Sequence, residues 1–133
     1  MPHTLNHIPA AHRKLFQRCR YLIESLEECR RVLPKETVLS ALSQLDAAAL
    51  PAKPRRQLKT LLRIKELRDE RQAELDSICL RAEHAAHRIA DDRLRQIVKL
   101  YFLDGWAIPE VAQSCSLSTQ AVRRIVKHVA QQP

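Results

Sequence analysis

The apolar positions of this 133-residue chain recur at helical spacing almost from end to end. Leu15, Cys19, Leu22, Ile23, Leu26 and Cys29 share one face and predict a first helix from about Ala10 to Leu33, with "EECRR" as solvated charge. Pro34 closes it, because proline lacks the N–H and disfavours helix at the residue before it. A second helix is expected over about Lys35 to Leu50, with Val38, Leu42, Leu45 and Ala49 on its stripe. The segment "PAKP", Pro51 to Pro54, is the clearest break in the pattern.

A long helix is predicted next, from about Pro54 to Ala90. Its positions 61, 64, 68, 71, 75, 78, 82, 85 and 89 alternate by three and four, and only Arg68 and Arg71 interrupt the apolar seam. Leu58, Leu62, Leu67 and Cys79 widen the face, which favours packing in a bundle over a two-stranded coiled coil. A homo-oligomer through these N-terminal helices stays open. The stripe would continue at Asp92 and Gln96, yet a fresh pattern begins at Leu94, Ile97, Val98 and Tyr101. Asp91 or Asp92 suits the N-cap of a new helix. That helix is expected to end at "LDGW", where Gly105 can take the left-handed cap conformation. The pattern therefore divides the chain into residues 1–90, a helical interaction or oligomerisation region, and residues 91–133.

From Ile108 the chain reads "IPEVAQSCSLSTQAVRRIVKHV". A helix-turn-helix needs a small residue where its two helices meet, and Ala112 supplies it. Apolar residues must face inward, as Val111, Cys115, Leu117, Val122 and Ile125 do by spacing. The tight turn falls at Ser116, where glycine is usual. Pro109 fits the first turn of the first helix, and Ser118 caps the second. The first turn of such a second helix points at base edges in the major groove. Thr119 and Gln120 stand there, with Arg123 one turn on; glutamine can pair bidentately with adenine and arginine with guanine. Arg124 and Lys127 flank this face and suit phosphates. A solvated face in an ordinary bundle is the competing explanation.

Composition sharpens the picture. One glycine and 4% aromatics, against an apolar share of 45%, imply an all-α fold: an N-terminal helical bundle or coiled-coil-like region, then a C-terminal helix-turn-helix. Glycine-rich phosphate loops are absent. A net charge of +8 and a pI near 9.8 favour anionic partners, nucleic acid first. No apolar run approaches the roughly 20 residues of a membrane span, and "MPHTLNHIPAAHRK" has no hydrophobic signal core. Cys19, Cys29, Cys79 and Cys115 lack close C-x-x-C pairing and read as reduced, mostly buried thiols of a cytoplasmic protein.

The same C-terminal residues carry a family resemblance. "AIPEVAQSCSLSTQAVRRI", Ala107 to Ile125, with "LRQIVKLYFLDGW" before it, resembles region 4 of bacterial sigma-70-type factors. The layout of a helical N-terminal half followed by this segment is similar to phage regulators of the RinA/ArpU type. The resemblance covers residues 91–133 in motif and residues 1–90 only in architecture. It implies a DNA-binding transcriptional regulator of a bacterium, phage or mobile element, with Thr119, Gln120 and Arg123 at the base-reading positions. Nothing resembles sigma region 2, so promoter melting is not expected. An adaptor whose helix pair contacts protein, RNA polymerase in particular, is the alternative.

Three further features are weaker. The run Ala47 to Lys65 holds Lys53, Arg55, Arg56, Lys59, Arg63 and Lys65 without an acid; it is read as a solvated helix start, as extra phosphate contacts or as a surface for an acidic protein. His84 with His87, and His3 with His7, lack partners at familiar ligand spacing, so no metal or cofactor is expected. Ser114, Cys115 and Ser116 have no identifiable general base, and the chain is not expected to be an enzyme.

Overall fold

The computed structural model describes residues 8–130, and helices are the only regular elements among them. The fold class is all-α. In chain order these are α1 (Ala10–Val32), α2 (Glu36–Ser43), a 3₁₀ turn (Ala47–Ala49), α3 (Ala52–His87), α4 (Asp92–Val98), a π-helical turn (Lys99–Leu103), α5 (Ile108–Cys115) and α6 (Thr119–Ala130). The helix break falls between His87 and Asp92, where the hydrophobic pattern changes register. Compactness divides elsewhere: residues 24–74 form one unit, and residues 8–23 with 75–130 form the other.

Within residues 24–74, the buried apolar side chains are Leu26, Cys29, Leu39 and Leu58. The expected helix from Lys35 to Leu50 is instead eight residues of α2 followed by a 3₁₀ turn. Asp46 explains the interruption, since its side chain accepts the Ala48 N–H at 3.1 Å and so offers the backbone a local turn in place of the helical ladder. The stripe also shifts by one residue. Leu39 is fully buried, whereas Val38 and Leu45 are 45% and 49% exposed. Arg68, which interrupts the apolar seam of α3, donates from Nη1 to Glu36 Oε2 at 2.9 Å and so ties α3 to the start of α2.

The other unit gathers its core from distant stretches of chain. Phe16 of α1 belongs to one core cluster with Ala85, Ala86 and Ile89 near the end of α3, and with Leu94, Ile97, Val98, Phe102, Val111, Val122 and Val129. The Phe16 and Phe102 ring centroids lie 6.3 Å apart. Cys19, Leu22, Ile78 and Ala82 form a smaller cluster. Alanines on α3 suit close helix approach, and Ala82 is fully buried. Asp91 caps α4 as expected, accepting the Leu94 N–H at 2.8 Å.

Arg20 fixes the turn that leads to the last two helices. Its Nη1 donates to the carbonyls of Tyr101 (2.9 Å) and Trp106 (2.8 Å), and its guanidinium lies 4.1 Å from the Tyr101 ring centroid. Gly105, at φ +78°, sits between those carbonyls in sequence. A Cβ there would meet Ile23 Cγ2 at 2.8 Å, so the position needs glycine both for its backbone and for its space.

Candidate nucleic-acid interface

Helix α5 begins with Pro109 in its first turn, while Glu110 Oε1 reaches back to accept the Ala107 N–H at 3.1 Å. Its end is a Schellman arrangement: Leu117 N–H donates to the Ala112 carbonyl at 3.0 Å and Ser116 N–H to the Gln113 carbonyl at 3.4 Å. That pair of bonds requires a left-handed residue, and Ser116 takes φ 56°, ψ 43°, alone in this region among the described non-glycine residues. The turn that the sequence assigns to Ser116 is therefore made there without glycine.

Ser118 starts α6. Its Oγ accepts the Ala121 N–H and its carbonyl the Val122 N–H, both at 3.1 Å, which satisfies two groups at the helix entrance. The two helices pack on each other and on α4. Val111, Ala112, Cys115 and Val122 are buried, and Leu117 and Ile125 pack partly buried against the same core. Val126 joins them, though the sequence reading does not single it out; its spacing of four from Val122 puts it on the inward face.

With one face of α6 held by Val122, Ile125, Val126 and Val129, the opposite face is fixed in orientation. Ser118, Thr119, Gln120, Arg123, Arg124 and Lys127, the six candidate residues, are all exposed. Gln120, Arg123, Arg124 and Lys127 follow spacings of three, one and three, so they occupy about a third of the helix circumference. Arg123, Arg124 and Lys127 make no ion pair with a described residue. The last acid in the chain is Glu110, so positive charge on α6 has no compensating neighbour along the sequence. Gln120 and Arg123 present hydrogen-bonding groups one turn apart beside two further cations, Arg124 and Lys127.

The remaining candidates carry less chemistry. Cys115 is buried, and burial pushes its thiol pKa up, the reverse of nucleophile activation. His87 Nδ1 lies 2.9 Å from the Glu83 carbonyl, and among the described residues no group of three or more His, Cys, Asp or Glu side chains is placed to hold a metal. His3 and His7 lie outside the described residues. No described helix is long and apolar enough to cross a membrane. No protein-family model matches the chain, and no curated protein or solved structure does either.

Proposed function

We propose that residues 108–130 are a DNA-reading helix-turn-helix and that the chain is a transcriptional regulator acting on duplex DNA. The outward face of α6 carries the reading. Its Gln120, Arg123, Arg124 and Lys127 are exposed, and its three cations make no ion pair with a described residue, on a helix whose other face is locked in a core. A helix held this way presents its first turn to base edges when it lies in the major groove. Thr119, Gln120 and Arg123 read bases, Ser118 borders them, and Arg124 and Lys127 hold phosphates. The resemblance of residues 91–133 to sigma region 4 supports the same reading and a setting in a bacterium, phage or mobile element.

Selection of bound sequences from a random duplex pool tests it, and recovery of a defined motif is the expected result. Gln120→Ala or Arg123→Ala then loses ~1–3 kcal/mol of discrimination at one base position. Lys127→Gln weakens all duplexes alike and lowers the salt dependence by about one phosphate. Retention of RNA polymerase from a nuclease-treated extract, with no enrichment of any duplex sequence, would replace this reading by the protein adaptor.

A further inference from the structure

We propose a second DNA contact on the first turns of α3, where Lys53, Arg56 and Lys59 bind the phosphate backbone without reading sequence. The proposal rests on the reading above, that the chain binds duplex DNA, and adds a surface on the unit of residues 24–74 that the helix pair does not include. Over that unit cations and acids nearly balance, eleven against nine. The balance is not local. The 19 residues from Ala47 to Lys65 hold six of the cations and none of the acids.

The structure sorts those six by what they touch. Arg55 donates from Nη2 to the Leu50 carbonyl at 2.9 Å and holds the turn before α3. Arg63 pairs with Glu66 at 3.0 Å and Lys65 with Asp69 at 3.1 Å. Lys53, Arg56 and Lys59 remain, all exposed, and their side chains make no hydrogen bond or ion pair to a described residue. Successive steps of three residues place them on one stripe that spans roughly 9 Å of helix axis. The stripe lies away from Leu58, the buried side chain of this part of the helix.

Folding gains nothing from this arrangement. Cations in the opening turns oppose the positive end of the helix macrodipole, and like charges at i, i+3 repel. An anion laid along the stripe reverses both effects. Around it stand Ala52, Pro54, Gln57 and Thr60, exposed and small or polar. A protein partner draws most of its affinity from Trp, Tyr and Arg anchors, of which the stripe and its exposed surroundings offer Arg56 alone. A phosphate backbone asks only for point charges at close spacing.

The test is binding of the full chain to a random-sequence duplex across a salt series. It compares wild type, K53Q/R56Q/K59Q, the charge-matched control R30Q/R31Q/K35Q on the same unit, and R123Q/R124Q/K127Q on α6. Helicity and melting temperature are checked for each. The stripe variant is expected to lower the slope of log affinity against log salt by about 2–3, at ~0.9 per phosphate contact, and to bind at least tenfold more weakly near 0.1 M salt. The control is expected to change the slope by less than one. A stripe variant that matches the control, while the α6 variant loses binding, overturns this proposal and leaves the proposed function standing. Wild type that binds no duplex at any salt overturns both. Poly-glutamate binding that depends on the three residues, without any effect on duplex binding, assigns the surface to an acidic protein and also overturns the proposal.

Discussion

Ser116 and Gly105 both have positive φ, at 56° and 78°, and their side chains set opposite expectations. A left-handed residue with a Cβ costs roughly 1–2 kcal/mol, and glycine returns about 0.5–1 of that through its extra unfolded freedom. Ser116→Gly is therefore expected to stabilise the chain by about 0.5–1 kcal/mol, a rise of a few degrees in a thermal melt. Gly105→Ala has the backbone cost and also the 2.8 Å approach to Ile23, so a loss of about 2 kcal/mol or more is expected in the same melt. Cys19 adds a pH dependence. Burial pushes its thiol up to about 11 from an ordinary 9.0. Between those values the unfolded chain releases the proton and the folded chain keeps it, so this contribution is intact below pH 9 and is lost as pH rises toward 11. At up to ~1.4 kcal/mol per pH unit, urea unfolding should show a drop from pH 8.5 to 10.5 that is about 2 kcal/mol smaller in Cys19→Ala than in wild type. Cys79, exposed, should react with an aromatic disulfide reagent in the native protein, while Cys19, Cys29 and Cys115 wait for unfolding.

Helix by helix, what the sequence reveals is whatever depends on residues close together. Asp91 caps α4, Pro109 opens α5, and Ser118 caps α6, because each act is completed within four residues. The outward face of α6 is legible for the same reason, since a helix with Val122 and Val129 buried must expose Gln120, Arg123 and Lys127. The interruption after α2 is less visible. Periodicity alone carries a helix through to Leu50, and the competing bond from Asp46 to Ala48 is as compatible with a cap as with a break. Leu39 in place of Val38 reflects tertiary packing, which decides between adjacent apolar residues of one short helix. Capping also gives α6 its own prediction. Ser118→Ala leaves the Ala121 N–H without its acceptor and should cost about 1 kcal/mol, with hydrogen exchange accelerated most in the first turn of α6 and little in α1.

Across the molecule, the proposed DNA-reading segment shares its core with α1 and the end of α3. The hydrophobic pattern marks a boundary near residue 91, and a fragment of residues 91–133 would keep α4, α5 and α6 whole. It would lose Phe16, Ala85, Ala86 and Ile89 from the core those helices share, together with the Arg20 bonds to Tyr101 and Trp106. The contacts of Phe16 and Arg20 join residues some 80 or more positions apart, so no local pattern announces them. The fragment is close to the ~40 residues below which a chain usually needs a metal, disulfide or partner to fold, and removal of one large core aromatic already costs about 3–5 kcal/mol. The fragment is expected to show reduced helicity, no cooperative melt and poorly dispersed amide resonances. In the full chain, Phe16→Ala should destabilise α4 to α6 along with α1, with amide exchange rising together at Ile97, Phe102 and Val122 of the same core cluster. Duplex binding by a well-folded 91–133 fragment at wild-type affinity would show that α1 and α3 are dispensable to the reading helix. Binding that returns only when residues 8–23 and 75–90 are restored would show that the orientation of Gln120 and Arg123 is set by helices remote from them in sequence.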